Sequence, residues 1–312
     1  MQTKLLLARL ITILFGICSC LLSSSVYASA PEDNGFVRQI AEGVFLHQGP
    51  HVGLEHHARG DSANIGFVVG ENCVAVIDTG GSLATGRQLR DAIIATTSTP
   101  ICYVINTHVH FDHVLGNAAF AQDSPTFVGH KNLKDAILGN RGFFVEEFST
   151  ELGSTDESAV VAPTLLVEDE RKIDLGNREL ILQAVAPAHT DADLTVYDAK
   201  TKLLWTGDLV SRERMPILDA SLKGWLAWLA AERDAVKVIP GHGSAGADWQ
   251  TSTQPIKSYL QALLDDTRKA IADGVFLEEA HEHVGVKAAA EWQLNDRHAR
   301  NVSRAYRQLE WE

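Results

Sequence analysis

Residues 108–113 read His-Val-His-Phe-Asp-His and follow directly on an apolar run, Ile101-Cys102-Tyr103-Val104-Ile105. Imidazole and carboxylate are the donors that a borderline divalent ion such as Zn²⁺ prefers. Three imidazoles and a carboxylate this close together cannot share one face of a strand or helix. They converge only where a strand ends and the backbone turns around a common centre. That requirement places the segment at the end of a buried strand, and the rest of the fold has to be built around it.

The flanking pattern supplies such a strand. Val44-Phe45-Leu46 and Ile65 to Val69 read as strands, and Gly70-Glu71-Asn72 as a hairpin turn into Cys73 to Ile77. Asp78-Thr79-Gly80-Gly81 breaks that run. Ser82 then caps a helix reaching about Thr96, with Leu83, Leu89, Ile93 and Ile94 on one apolar side. Pro100 precedes the strand that delivers the histidines, and Val114 to Ala121 reads as a short helix. Strand, helix, strand, helix implies parallel pairing in an α/β fold.

The second half offers strands at Leu165 to Val167, Lys172 to Leu175, Glu179 to Val185, Leu194 to Tyr197, Lys202 to Trp205 and Val236 to Ile239. Ser221 to Ala231 is helical, with Leu222, Trp225, Leu226 and Leu229 spaced for a core-facing stripe. From about Thr251 the chain is predominantly helical, with a break near Asp273-Gly274. Three more donors follow strands in this half: His189, Asp208 and His242, each beside a glycine or small residue and just past a strand's C-terminal end. Open α/β sheets place their sites at that edge.

The first residues describe a secretory signal peptide, residues 1–28: Lys4 and Arg9 around an apolar stretch, then Val26 and Ala28 at a small-residue cleavage site. Arg9 interrupts the span, which disfavours an uncleaved anchor. The expected mature chain is one domain, residues 29–312, exported to the periplasm or medium, with a helical C-terminal segment and no stable membrane insertion. Removing Lys4 and Arg9 takes the formal charge from −13 to −15, which disfavours nucleic acid as a partner and leaves a small molecule as the expected one. Only Cys73 and Cys102 remain after processing. Buried free thiols are the first expectation for both. A disulfide requires their strands to be neighbours in matching register.

Taken together, the motifs resemble the metallo-β-lactamase superfamily: His-x-His-x-Asp-His at His108 to His113, then His189, Gly207-Asp208 and Gly241-His242, with Val76-Ile77-Asp78-Thr79-Gly80 as the upstream turn. The likeness runs from about Gly43 to Gly243. It implies a four-layer αβ/βα sandwich with a dinuclear centre where two sheets share an edge. By that resemblance His108, His110 and His189 bind one ion, Asp112, His113 and His242 bind the second, and Asp208 bridges them. Two Zn²⁺ are the expected cofactors, with iron or manganese as alternatives. Asp78 is expected behind the ligands rather than among them.

Two such ions acidify a shared water, so the implied reaction is metal-assisted hydrolysis, with Asp112 as the catalytic residue that orients the water. A bridging Asp208 is closer to hydroxyacylglutathione-hydrolase-like thioesterases than to the best-known exported zinc β-lactamases. Those usually carry cysteine at that position and a lysine three positions on, where this chain has Ser211. Arg212 or Arg214 is the substitute carboxylate clamp, and His56 and His57, in a glycine-containing loop with His51, are candidate substrate contacts. The alternatives are β-lactam hydrolysis and a mononuclear iron persulfide dioxygenase. His189-Thr190-Asp191-Ala192-Asp193-Leu194 and Thr206-Gly207-Asp208-Leu209-Val210 look like the quinoprotein-associated zinc metallohydrolases. That narrower likeness implies a functional link to a periplasmic quinoprotein.

Overall fold

Strict alternation along the strands decides how the layers stack. Val44 and Leu46 face one way and Phe45 the other; Ala75 and Ile77 oppose Val74 and Val76. A computed structural model describes residues 35–312, which lie within one unit. The expected signal peptide, residues 1–28, lies outside the described residues.

The first sheet runs in chain order: β1 (Arg38–Ala41), β2 (Val44–His47), β3 (Ile65–Val69), β4 (Val74–Ile77), β5 (Ile101–Ile105), β6 (Thr126–His130) and β7 (Leu165–Val167). Helix α1 (Leu83–Thr96) joins β4 to β5, and that pair is parallel, as are β5–β6 and β6–β7. Ser82 caps α1 by accepting from Thr85 N at 3.0 Å. The histidine segment opens α2 (Phe111–Val114), which passes into a 3₁₀ stretch at Leu115–Asp123. Two helices not foreseen from the periodicity follow β6: α3 (Leu133–Gly139) and α4 (Arg141–Leu152).

The second sheet has β8 (Glu170–Asp174), β9 (Glu179–Ala184), β10 (Leu194–Asp198), β11 (Leu203–Ser211) and β12 (Lys237–His242), ordered β12-β11-β10-β9-β8. It is antiparallel except for β11–β12. Helices α5 (Leu222–Ala230), α6 (Trp249–Ala272), α7 (Leu277–Ala280), α8 (Val286–Ala289) and α9 (His298–Leu309) complete the chain. Among the described residues no helix is long and apolar enough to cross a membrane.

Between the sheets lies one apolar layer, Val44, Leu46, Ile77 and Ile105 from the first against Leu182, Val196 and Trp205 from the second. Leu89 and Ile93 of α1 cover the first sheet's outer face with Phe67 and Val104. Trp225 of α5 and Ile256, Leu260 and Leu263 of α6 join Val302 and Ala305 of α9 over the other. Helix, sheet, sheet, helix is the four-layer sandwich expected.

Two sequence expectations need correction. Cys73 and Cys102 are not free thiols but a disulfide, with Cα atoms 5.5 Å apart. Their strands are adjacent, and the β4–β5 ladder slips between Val74↔Ile101 and Ala75↔Tyr103, so Cys102 is the extra residue there. Strand β11 does not stop at Trp205. It runs to Ser211, so Asp208 lies inside a strand and not beyond one, and β12 likewise continues past Ile239 to take in His242 as its last residue.

A buried ion pair ties the sheets together. Arg178 Nε and Nη2 donate to both oxygens of Asp198 at 3.0 and 2.6 Å, while Nη1 donates to Glu42 O and Val69 O on the first sheet's side. Removing one partner leaves the other charge buried and unpaired. Arg178→Ala is therefore expected to cost about 3–5 kcal/mol in urea unfolding, far more than loss of the exposed Lys172–Glu179 pair.

Candidate metal centre

The strand ends bring all seven expected donors together. His108, His110 and His113 leave β5 through the turn into α2, and His189 sits in the loop between β9 and β10. Asp208 points out of β11, and His242 ends β12. One donor atom each from His108, His110, His189 and Asp208 lies within 4.8 Å of the others, and Asp112, His113 and His242 form a second such group. Asp208 faces both. Its Oδ1 is 3.2 Å from His113 Nε2, and its Oδ2 is 3.2 Å from His242 Nε2 and 3.7 Å from both His108 Nε2 and His189 Nε2.

The close approach of β11 and β12 depends on glycine. A Cβ on Gly241 would fall 1.9 Å from Asp208 Oδ1. Gly207, at φ +51°, takes the left-handed turn that lets β11 bend under Thr107.

Each imidazole turns one nitrogen inward and ties the other to protein, which selects the inward tautomer and aim. His108 Nδ1 meets Thr107 Oγ1 at 3.0 Å, and His113 Nδ1 meets Asp78 Oδ2 at 2.8 Å. His189 Nδ1 meets Ile217 O at 2.7 Å. His110 is reversed: Nε2 meets Asp219 Oδ2 at 2.8 Å and Nδ1 faces the centre. His242 Nδ1 lies 2.9 Å from Ser62 O and 2.8 Å from Arg214 Nη1. Nε2 is free to act as a donor to an ion only when Nδ1 carries the proton and donates to Ser62. Asp78 thus stands behind His113, where it also accepts from Thr107 N and Oγ1 at 2.8 and 2.7 Å.

The arrangement fits a pair of cations. His108 Nε2, His113 Nε2 and Asp208 Oδ1 are buried without a hydrogen-bond partner. Buried polar atoms are rarely left so. His189 Nε2 and His110 Nδ1 face each other at 3.2 Å, lone pair against lone pair unless a proton or an ion lies between them. The charges agree. Burial opposes ionisation of Asp208 and Asp112, yet the surrounding imidazoles, joined by Arg214 for Asp112, hold both carboxyls well below the usual range. Burial pushes His108 down and His189 to about 4. Burial is outweighed at His110, where Asp208 and Asp219 lift the pKa to about 9. Donors of N and O type, two ionised carboxylates and orphaned inward nitrogens are what a divalent ion of borderline hardness requires.

The sequence reading missed a set of supporting residues. Ser62 Oγ donates to Asp112 Oδ2 at 2.8 Å. Asn64 Nδ2 donates to Pro240 O and Gly243 O at 2.9 and 2.8 Å, clamping the turn that holds His242. Helix α9 reaches the other ligand group. Arg300 Nη2 donates to Asp219 Oδ1 at 2.5 Å, and Asp219 holds His110. Asn301 donates to Pro216 O at 2.7 Å and accepts from Leu218 N at 2.9 Å, so it grips both neighbours of Ile217, whose carbonyl orients His189. None of these supporting residues sits in a motif.

A cavity of about 430 Å³ opens over the donors, lined by Leu54, Phe111, Phe143, Phe148, Ile217, Arg214, Arg297 and Arg300 together with His110, Asp112, Asp208 and His242. Three expected substrate contacts are not on its wall. His56 and His57 stack on each other at 4.2 Å and are exposed, with His56 Nδ1 accepting from Ala58 N. Leu54 is what their loop contributes. Arg212 Nη1 donates to Ser244 O, and its Nη2 lies 3.8 Å from Glu213, so it turns away from the cavity.

The model of the metallo-beta-lactamase superfamily matches residues 58–260. The chain belongs to that superfamily. Relatives within it include the acyl-coenzyme A thioesterase MBLAC2 of Bos taurus, 27% identical over 246 residues, 66% of this chain and 80% of that protein. A probable metallo-hydrolase, MJ0888 of Methanocaldococcus jannaschii, is 27% identical over 204 residues, 62% of this chain and 93% of that one. Among solved structures, a metallo-beta-lactamase from Pontibacter korlensis has a TM-score of 0.57 at 21% identity, covering 72% of this chain and 98% of its own. The inverting sec-alkylsulfatase Pisa1 from Pseudomonas sp. has a TM-score of 0.59 at 16% identity, covering 87% and 50%. At such identities the two structures share with this chain the metallo-beta-lactamase fold.

Two outcomes are expected of this centre. Ion binding must displace protons from His110 and His113, both raised by the carboxylates they face despite burial. Apparent affinity for Zn²⁺, read by competition with a chromogenic chelator, is therefore expected to rise with pH from neutrality through about 9, where His110 gives up its proton. Asp219→Ala frees His110 from its outer hydrogen bond and is expected to weaken one of the two binding steps by about 10–100-fold, with the other step little changed.

Proposed function

We propose that this protein is an exported dinuclear zinc hydrolase that cleaves a thioester or related acyl bond. The observation that carries the reading is the Asp208 carboxylate lying between two complete donor groups, His108/His110/His189 and Asp112/His113/His242. A mononuclear oxygenase needs only one such group, and here neither is degraded. The acyl-coenzyme A thioesterase named among the relatives supports the choice of bond. The Cys73–Cys102 disulfide supports export, since such crosslinks persist in oxidising compartments. A functional link to a periplasmic quinoprotein belongs to the same reading and rests on the likeness around His189 and Asp208.

Bound at these residues, two Zn²⁺ would supply Lewis acidity toward an acyl carbonyl and a water with a pKa near about 7. The chain's own part follows from its geometry. Among the described residues no serine, threonine or cysteine lines the cavity, which supports water as the nucleophile. Asp112 is held ionised, takes a hydrogen bond from Ser62 and lies 3.6 Å from Arg214 Nη1. It is placed to accept a proton from a water in the cavity and to aim that water. Phe111, Phe143, Phe148, Leu54 and Ile217 exclude bulk solvent from the acyl group.

The test is elemental analysis of protein purified from the exported fraction, alongside assays with a simple thioester and a chromogenic β-lactam. Near two zinc per chain and faster thioester cleavage are expected. A single iron with oxygen uptake on a persulfide, or preferential β-lactam cleavage, overturns the reading. Asp208→Ala is expected to lose at least one ion and at least about 100-fold in kcat; full occupancy and activity in that variant would refute its bridging place.

A further inference from the structure

Arginines in this fold are mostly spoken for. Arg59 pairs with Glu151, Arg90 with Asp123, Arg178 with Asp198 and Arg300 with Asp219. Arg297, at the start of α9, is different. It is half-buried in the cavity wall beside Arg214, yet its guanidinium makes no hydrogen bond or ion pair with any described residue. Burial works against its charge, and so does the neighbouring Arg214. A guanidinium withdrawn from water without a partner is an unspent anion receptor, because its planar fork matches a carboxylate or phosphate.

The rest of the wall has a second, opposite character. Phe111 stacks on Phe148 at 4.4 Å, and Phe143 meets Phe148 edge-on at 6.0 Å. Arg59 lies 4.7 Å over the Phe148 ring, holding it in place. Phe143 and Leu54 remain 56% and 48% exposed, and both border this cavity. Large apolar side chains left open at the rim of a pocket mark a surface that a ligand covers.

We propose that Arg297 is the anion-recognising residue of this cavity, and that the substrate is a small acyl compound bearing both an anionic oxygen group and an apolar group of aromatic size. The apolar group packs on Phe111, Phe143 and Phe148, and the anion pairs with Arg297. This deepens the hydrolase reading and rests on it for the position of the cleaved bond over Asp208. A volume of about 430 Å³ is near the small end of ligand pockets, about 300–1,000 Å³, so a compact substrate fits wholly inside. The receptor lies beyond residue 260, outside the stretch that the superfamily model matches.

The experiment is calorimetric binding to the zinc-loaded protein with four probes that carry neither thioester nor ester: 4-phenylbutanoate, 4-phenylbutanamide, butanoate and 2-phenylethyl phosphonate. Wild type is expected to hold 4-phenylbutanoate about tenfold or more tighter than the amide. The ratio of phosphonate to carboxylate affinity tells which anion the site is built for. Arg297→Gln is expected to bring acid and amide to near parity, with Arg297→Lys intermediate and thermal midpoints unchanged, as the side chain holds nothing in the fold. Phe143→Ala is expected to weaken both phenyl ligands about three- to tenfold and leave butanoate unmoved. Undiminished preference for the acid in Arg297→Gln means that the anion sits on the ions or on Arg214, and overturns the proposal. So does equal binding of butanoate and 4-phenylbutanoate. If the protein takes up no zinc yet Arg297 still sets the preference, the hydrolase reading fails and the receptor stands.

Discussion

Five imidazoles and two carboxylates crowd a space from which water has been largely removed, and their mutual fit is the constraint on which the molecule turns. With inward nitrogens 3.2 Å apart at His110 and His189, and orphaned atoms on His108, His113 and Asp208, the cluster is electrostatically incomplete as a set of protein groups alone. Much of the fold exists to hold that incompleteness still. The turn after β5, the loop after β9, the bend in β11 and the end of β12 meet because two sheets pack face to face through Ile77, Ile105, Leu182 and Trp205. Separate the sheets and the donors part in two groups.

The outer hydrogen bonds show how unevenly the support is distributed. The second donor group is held from the first sheet's side, through Asp78 to His113 and Ser62 to both Asp112 and His242. The first is held largely from the C-terminal helices, through Arg300 and Asp219 to His110 and through Asn301 and Ile217 to His189. The same helix start supplies Arg297 to the cavity. Substrate recognition and ligand orientation therefore share one rigid element, which suits a site that needs geometric precision.

Much of this was legible in the sequence where the signal is local. His108 to His113 is dense enough to announce a turn around a common centre, and Ser82 with its apolar stripe marks α1. The likeness to a known family then assigned His189, Asp208 and His242, whose single-residue signals say little alone. What stayed hidden depends on contacts distant in sequence. Asp219 lies 109 residues from His110, and Asn64 reaches across 176 to Pro240; no periodicity announces either. Sequence alone leaves Cys73 and Cys102 open between free thiols and a disulfide, because the strands are legible but the slip at Cys102 that brings the two together is not. His56, His57 and Arg212 have suitable chemistry near the right loops but miss the cavity, whereas Leu54 and Arg214, the second arginine expected as a clamp, face it.

The position of α9 in the chain sets an order of events during synthesis. Every candidate ligand, the last being His242, has left the ribosome before Arg300 and Asn301 are made. A nascent chain at that stage owns all seven donors but cannot yet aim His110 or His189. Correct assembly of the centre therefore waits on the docking of its latest-made helix, and any lesion that loosens that helix will register as a fault in chemistry far from where it struck.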